Sequence, residues 1–311
     1  MDAVVSESEA SIRKGSTSFA LASRMFGRGL REDVWQLYAW CRHCDDVIDG
    51  QDHGGTSEPV DDQERRERLA RLREETLAAL NQRPVDDPAF VAFGRVAAKH
   101  HLPPVWALEM LDGFAMDVDG RRYDTVDEML DYCWGVAGVV GVMMAAIMGA
   151  PRSPDVLKRA QDLGLAFQIT NICRDVREDA ENGRVYLPRE TLRAAGLKGS
   201  PTEVLGAVGN QQLYGQVRAL LELAEDYYRS SRQGLRALPF RGALAVAVAR
   251  EVYRHIGRRI VAEGPRAMRS RMRTRRRFLP YLVLRGAGVA LVSRLERLLP
   301  AMARPPLWSH I

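Results

Sequence analysis

The chain has 311 residues, of which 46% are hydrophobic, 27% are charged and 7% are aromatic. This composition excludes a disordered, collagen-like or disulfide-rich chain, and the length suffices for a large core without disulfide or metal crosslinks. The formal net charge is +5, and arginine supplies most of the 45 basic residues. An arginine-rich surface suits phosphate, diphosphate or anionic lipid, but the codon bias of a GC-rich genome produces the same excess of arginine. Charge alone therefore does not distinguish anion binding from codon bias.

Apolar residues recur with a helical period through most of the chain, and no strand-period run, repeat or linker interrupts them. We therefore predict an all-α fold, in which residues 1–311 form a single domain, a helical bundle around a central apolar cavity, with an irregular tail from about residue 300. The predicted helices cover residues 32–48, 63–82, 88 to the Pro103-Pro104 pair, from there to about 117, then 126–149, 154–180, 201–235, 238–263 and 281–299.

Loop and cap signals separate these helices. Residues 50–59 are polar and rich in glycine and end in proline, which predicts a loop. The pairs Asp61-Asp62 and Asp86-Asp87 each open a helix, and we interpret them as caps, the second one just before a proline. Asp117 and Asp119 fall at a helix end, where they either border a site or only terminate the helix.

The four cysteines, at positions 41, 44, 133 and 173, show no disulfide-framework spacing. The N-terminal stretch carries acids and lacks an apolar core, so we expect no signal peptide and a reducing cytoplasm. Cys41 and Cys44 form a C-x-x-C element, but no second pair at zinc spacing and no βαβ context accompany it. We interpret the two cysteines as small residues on a helix.

Residues 133–150 carry no charge, and as a helix they would extend about 27 Å, close to the hydrocarbon thickness of a bilayer of about 30 Å. Gly135, Gly138 and Gly141 thin one side of this helix, which permits close packing or leaves room for a ligand. We favour a buried central helix over a membrane span. Residues 279–300 are also apolar but are interrupted by charges, so they either lie at a membrane interface or complete the bundle.

Two segments place carboxylates in a helical stripe. Four residues turn an α-helix by roughly 400°, so Asp45 and Asp49 lie about 40° apart and about 6 Å along the axis. Tyr38 and Arg42 fall on the same stripe. The second stripe follows an apolar turn at steps of three, four and four, and its members are Gln168, Asn171, Asp175 and Asp179. Its amides are typical of an interior polar face, whose groups need partners.

Carboxylates four residues apart repel each other unless a cation stands between them. Oxygen ligands of this kind suit Mg²⁺, which proteins hold through one or two carboxylates together with substrate phosphates. Two facing stripes would clamp a diphosphate through such ions and support ionisation of an allylic C–O bond. Either stripe alone is compatible with a solvated helix surface. The presence of a second carboxylate stripe, with its amide residues on the same helical face, favours the metal-site interpretation.

Six motifs in this order resemble the squalene/phytoene synthase family, and within it most closely the bacterial phytoene synthases. They run from about Gly15 to Arg271 and are Gly15-Ser16-Thr17-Ser18-Phe19, Leu37-Tyr38 through Asp49, Gly113 through Asp117, Tyr132 through Gly141, Gln168 through Asp179, and Gly183-Arg184-Val185-Tyr186-Leu187-Pro188. Residues 45–49 spell D-D-x-x-D, a motif that head-to-tail synthases and terpene cyclases also use. Head-to-tail synthases would carry this motif a second time, and terpene cyclases would carry an Asn/Ser/Glu triad. The second aspartate motif therefore resembles that of the head-to-head enzymes.

The resemblance implies an all-α isoprenoid-synthase fold that condenses two geranylgeranyl diphosphates to prephytoene diphosphate and then to phytoene. It implies Mg²⁺, with Mn²⁺ as an alternative, on Asp45, Asp49, Asn171, Asp175 and Asp179. The catalytic residues implied are Asp45, Asp49, Asp175, Asp179, Tyr132 and Arg42. The substrate-binding residues implied are Gly15, Ser16, Thr17, Ser18, Tyr38, Arg42, Gln168, Arg174, Arg184, Tyr186, Tyr253 and Arg271.

Partners and rivals follow from the same reasoning. The basic run 266–277 lacks interleaved aromatic residues, so we expect no nucleic acid, and either a membrane surface or a solvated helix end. We expect a cytoplasmic enzyme attached peripherally to the inner face of the cell membrane, in contact with carotenoid-pathway enzymes.

No G-x-G-x-x-G fingerprint is present, and we expect no NADPH. The rivals are a squalene or dehydrosqualene synthase using farnesyl diphosphate, and a non-catalytic scaffold, which has no need for both aspartate stripes.

Overall fold

The computed structural model describes residues 2–50 and 61–311, apart from the side chains of Thr17 and Ser18. The α-helices are α1 Ala3–Gly15, α2 Thr17–Ser23, α3 Arg28–Asp49, α4 Asp62–Leu80, α5 Pro88–Lys99, α6 Pro104–Val118, α7 Val126–Cys133, α8 Val139–Ile147, α9 Pro154–Glu181, α10 Arg189–Ala194, α11 Pro201–Ala207, α12 Gln211–Gly234, α13 Phe240–Glu263 and α14 Leu279–Leu295. The described ranges contain no strand, which confirms the all-α prediction. Most of the predicted loop 50–59 lies outside the described residues.

The acidic pairs interpreted as caps do cap helices. The side chain of Asp61 accepts a hydrogen bond from the Glu64 amide at 2.7 Å, at the start of α4. Asp87 accepts from the Ala89 amide at 2.7 Å, with a proline at the first position of α5. Such bonds satisfy backbone donors that have no partner within the helix. Both cap predictions are confirmed.

Two predicted helices depart from a regular α-helix. The predicted helix 126–149 contains a π-helical turn at Trp134–Gly138. There Gly135 faces Gly113 of α6 so closely that an added Cβ would lie 2.7 Å from the Gly113 Cα. The predicted helix 201–235 ends at Ala207 and restarts at Gln211, because Gly209 adopts a left-handed conformation with φ 89° and Asn210 caps α12. The prediction of a continuous helix was wrong at residues 208–210, whereas the helix over Val126–Ile147 continues through its π-helical turn.

Helix α9 runs through the middle of the fold and packs closely on α8 and on the π-helical turn that precedes it. An added Cβ at Gly141 would lie 2.6 Å from the Ala160 carbonyl oxygen, and one at Gly164 would overlap the carbonyl of Ala137. Close packing, one of the two uses predicted for these glycines, is therefore realised. Within residues 2–50 and 61–311, two helical stretches are apolar and long enough to span a membrane. Val126–Ile147 is 67% buried within the fold and Arg276–Leu298 only 22%.

The C-terminal segment, residues 300–311, has no regular helix but is tied to the bundle. Arg304 donates to both oxygens of Asp162 on α9, at 3.0 and 2.7 Å, and the Asp162 side chain is fully buried. The ring of His310 stacks on Trp134 with centroids 4.7 Å apart. The chain end thus covers the outer surface of the central helices.

Candidate active site

An apolar cavity lies between α2, α3, α8, α9, α12 and α13 and holds about 1400 Å³ of empty space, its mouth included. At Gln168 and Asn171 it meets a polar pocket, since both residues line both spaces. The other charged or hydroxyl-bearing residues of the polar pocket are Asp45, Asp49, Asp117, Tyr132, Arg174, Asp175, Asp179, Arg184, Tyr186 and Arg271. The two predicted stripes therefore face each other across one pocket at the mouth of a dry cavity.

The first stripe lies in the last turns of α3, which ends at Gly50 in a left-handed conformation with φ 62°. Arg42 donates to Asp45 Oδ2 at 2.8 Å and lies 2.6 Å from Asp46 Oδ1. Asp49 accepts from Arg184 Nη2 at 2.5 Å. Guanidinium groups of this kind can exchange a carboxylate for a diphosphate oxygen, because both fit the same fork of donors.

The second stripe lies on α9. Arg174 pairs with Asp175 through two donors, one of them Nε at 2.8 Å, and Arg271 Nε lies 3.2 Å from Asp175 Oδ1. The Asn171 amide donates to Gln168 Oε1 at 3.3 Å. The amide oxygen of Asn171 is buried and has no hydrogen-bond partner among the described residues. A buried acceptor without a donor is costly, so this oxygen is suited to a cation.

The pocket concentrates negative charge. Desolvation raises the pKa of Asp45 to about 7, against the lowering effect of Arg42 and with a further rise from Asp49. Desolvation and the nearby Asp175 carboxylate raise the pKa of Asp179 to about 8. Both carboxylates lie in a site that penalises their charged form, and a bound cation would remove this penalty.

Tyr132 and Tyr186 form a pair at the edge of this pocket, with ring centroids 5.1 Å apart. The Tyr132 hydroxyl donates to Asp117 Oδ2 at 3.0 Å, and the Tyr186 hydroxyl donates to Asp117 Oδ1 at 2.8 Å. Desolvation raises the pKa of Asp117 to about 6, although both hydroxyls lower it. The sequence left Asp117 open between site and helix end. Its place in the motif Gly113 through Asp117 was the signal for the site.

The remaining predicted residues lie beside the polar pocket. Tyr38 and Tyr253 line the apolar cavity, where the Tyr253 ring stacks on Phe167 with centroids 4.3 Å apart. An added Cβ at Gly15 would overlap the Tyr38 hydroxyl, so a larger residue there would displace the Tyr38 side chain. The Ser16 hydroxyl accepts from the Phe19 amide at 3.3 Å and caps α2. The roles predicted for the Thr17 and Ser18 side chains lie outside the described residues.

The residues present fit a divalent cation held jointly with a ligand. Across residues 2–50 and 61–311, no three His, Cys, Asp or Glu side chains converge closely enough to hold a metal ion by themselves. Mg²⁺ retains waters and is commonly held by one or two carboxylates plus substrate phosphates. Facing carboxylates and an unpartnered amide oxygen are the oxygen ligands that such shared coordination uses.

Comparisons with known proteins agree with this geometry. The family model described as squalene/phytoene synthase matches residues 12–278. A 15-cis-phytoene synthase of a Paracoccus species is 46% identical over 309 residues, covering 99% of this chain and 98% of the relative. A phytoene synthase of Pseudescherichia vulneris is 46% identical over 296 residues, covering 95% and 94%. A solved dehydrosqualene synthase superimposes with a TM-score of 0.77 at 26% identity, covering 93% of this chain and 95% of that structure.

Proposed function

The chain belongs to the squalene/phytoene synthase family, and we propose that it joins two geranylgeranyl diphosphates head to head, through prephytoene diphosphate, to form phytoene. The resemblance inferred from six motifs is thereby confirmed. The chain is an enzyme that transfers prenyl groups in carotenoid biosynthesis. The relative from Paracoccus is named for a 15-cis product, and we propose the same geometry here.

The observation that carries this proposal is the junction of the two spaces at Gln168 and Asn171. A prenyl diphosphate has a charged head and a long apolar tail. The polar pocket supplies cationic and oxygen ligands for the head, and the cavity supplies a dry lining for the tail. Identity of 46% over nearly the whole length of named phytoene synthases points to the same substrate class.

In our mechanism, four arginines bind and orient the diphosphate. Arg42, Arg174, Arg184 and Arg271 each hold an aspartate of the stripes in the structure. On substrate binding, we expect them to share these carboxylates with diphosphate oxygens and to stabilise the charge that develops as the allylic C–O bond breaks. The arginines thus keep the leaving group within the polar pocket.

We propose that Asp45, Asp49, Asn171, Asp175 and Asp179 hold Mg²⁺. When bound, the metal would supply Lewis-acid neutralisation of the departing diphosphate. The apolar cavity excludes water from the carbocation, which would otherwise be quenched to an alcohol. Tyr132 and Tyr186 present their rings and oxygens at the cavity mouth, and Asp117 fixes both hydroxyls. A ring held in place beside the reacting carbons can stabilise positive charge.

The test is incubation of the purified protein with geranylgeranyl diphosphate and Mg²⁺ without NADPH, followed by extraction of the hydrocarbon. We expect phytoene, since no reduction is required. A parallel incubation with farnesyl diphosphate tests the rival. Turnover of farnesyl diphosphate beside untouched geranylgeranyl diphosphate would replace our proposal by a dehydrosqualene or squalene synthase.

We also propose that the enzyme works in the cytoplasm, bound peripherally to the inner face of the cell membrane, where it can contact other carotenoid-pathway enzymes. The support lies on α14 and the 3-10 turn Glu296–Leu298 that follows it, where an exposed stripe at helical spacing consists of Tyr281, Leu284, Leu291, Leu295 and Leu298. These side chains are 54–84% exposed. Arginines 273, 275, 276 and 277 precede the helix. An apolar stripe flanked by cations suits an anionic lipid surface.

A further inference from the structure

Arg159 is an unusual member of the apolar cavity lining. It lies on α9, nine residues before Gln168, and therefore about 14 Å further along the helix from the polar pocket. Its side chain is only 3% exposed. A buried guanidinium must be hydrogen-bonded, or its desolvation would be prohibitive. Of the α9 residues that line the cavity, only Val156 lies further from the polar pocket, less than one turn beyond Arg159. The cavity end that lies away from the diphosphate site is thus formed in part by a charged residue.

The hydrogen-bond partners of Arg159 lie outside the cavity lining. Its Nη1 donates to the Ser230 carbonyl at 3.0 Å, and its Nη2 donates to the carbonyl of Met302 in the C-terminal segment. Its Nε lies 3.4 Å from Asp155 Oδ2. The guanidinium is therefore occupied by groups behind the wall, and the aliphatic stem remains to line the cavity.

The C-terminal segment is attached to the same turn of α9. Arg304 pairs with Asp162, and Gln161 Oε1 accepts from the amides of His310 and Ile311 at 3.2 and 3.4 Å. One turn of α9 thus carries Arg159, which lines the cavity, and also Gln161 and Asp162, which bind the C-terminal segment. The segment contacts Arg159 directly through the Met302 carbonyl. It also fixes the turn of α9 that carries Arg159, through its bonds to Gln161 and Asp162.

Small residues lie opposite Arg159. Ser231 and Gly234 of α12 both line the cavity, and an added Cβ at Gly234 would lie 3.0 Å from the Arg159 Cβ. The wall is tightly packed at Gly234, and Ser231 contributes only a small side chain to the lining beside it. We call Arg159, Ser231 and Gly234 the end wall.

We propose that the end wall, with Arg159 fixed by the C-terminal segment, sets the longest prenyl chain that the enzyme accepts. This proposal rests on the proposed function for the class of substrate. A tail that fits the cavity ends against the Arg159 stem, and a longer tail would have to displace a buried guanidinium whose three nitrogens are each hydrogen-bonded. A shorter tail leaves apolar volume unfilled before the wall, which weakens its binding.

The experiment compares kcat/KM for farnesyl, geranylgeranyl and geranylfarnesyl diphosphates, which differ by one isoprene unit each. Arg159→Ala should raise the ratio of geranylfarnesyl to geranylgeranyl diphosphate by about ten-fold or more, since a single methylene already changes selectivity by about 10- to 200-fold. Ser231→Leu should lower the ratio of geranylgeranyl to farnesyl diphosphate by a similar factor. The opposite directions separate a change of depth from a general loss of stability.

Arg229→Ala is the matched control, because Arg229 is an exposed arginine of α12 that pairs with Asp226, does not line the cavity and does not contact the C-terminal segment. It should leave both ratios at their wild-type values. Unchanged ratios in Arg159→Ala and Ser231→Leu, or shifts in the same direction, would overturn the proposal. Ser231→Leu decides alone if Arg159→Ala does not fold. A wild-type enzyme that used only farnesyl diphosphate would refute the proposed chain length, while the direction of the shifts would still test the end wall.

Discussion

The Tyr132 hydroxyl donates to Asp117 Oδ2 at 3.0 Å, across the contact between α6 and α7. The other oxygen of Asp117 accepts from Tyr186, so one carboxylate fixes two aromatic rings at the mouth of the cavity. Asp117 also lies in the same pocket as the two aspartate stripes. This relationship makes Asp117 a positioning residue for the predicted catalytic tyrosine.

We expect Asp117→Asn to lower kcat by about 10- to 100-fold, since a hydrogen bond to a charged group contributes about 1.5–3 kcal/mol and about 1.4 kcal/mol changes a rate ten-fold. Steady-state kinetics measure this loss. Asp119→Asn is the control, because it removes the same charge two residues away on an exposed side chain. If Asp117 acts through Tyr132, the losses in Asp117→Asn and Tyr132→Phe will not add in the double variant. Additive losses would assign Asp117 a separate role.

The aspartate stripes give a second prediction. Asp45→Asn and Asp175→Asn should each lower turnover by at least about 100-fold, because each removes a charge from the site that holds the leaving group. Far-ultraviolet circular dichroism should remain that of the wild type. Asp112→Asn, on the exposed side of α6, is the matched control and should retain full activity. Near-normal turnover in either stripe variant would remove that residue from the site.

Metal dependence gives a third prediction. Chelation with EDTA should abolish turnover, and added Mg²⁺ should restore it. Because the protein ligands do not converge without a bridging anion, Mg²⁺ and inorganic diphosphate together should raise the melting temperature more than the sum of either alone. Differential scanning fluorimetry measures these shifts. Equal stabilisation by diphosphate with and without Mg²⁺ would argue that the arginines alone bind the anion.

The close contact of α9 with the helix that contains the π-helical turn Trp134–Gly138 gives a fourth prediction. Gly164→Ala should destabilise the protein by about 1–3 kcal/mol, because the added methyl would overlap the carbonyl of Ala137. Gly215→Ala, in the middle of α12 with no atom within 4 Å of the added Cβ, should instead stabilise it by up to about 1 kcal/mol. Urea denaturation measures both values. A neutral Gly164→Ala variant would mean that the two helices can separate without cost.

The exposed stripe of α14 gives a fifth prediction. Replacing Leu284, Leu291 and Leu295 together by glutamine should abolish flotation with vesicles that contain phosphatidylglycerol. The melting temperature should change little, because these side chains are 58–73% exposed. The control replaces Val105 and Val261, which are exposed elsewhere, by glutamine. Vesicle binding that survives the triple substitution would place the membrane contact on another surface.

The sequence by itself determined the features that depend on neighbours along the chain. Helical periodicity and cap residues such as Asp61 and Asp87 predicted the all-α fold. The spacing of Asp45 and Asp49 fixed each stripe on one face of its helix. These are local properties, since the rotation per residue of an α-helix is the same in every fold.

The tertiary structure decided everything that joins distant parts of the chain. It brought Arg184 to Asp49 and Arg271 to Asp175, and it assigned Asp117 to the tyrosines rather than to a helix end. It also introduced the π-helical turn where Gly135 meets Gly113, and it placed the C-terminal segment behind the cavity. Such contacts depend on how helices pack. A repeating pattern within one helix specifies which face is buried, but not which residue of another helix will meet it.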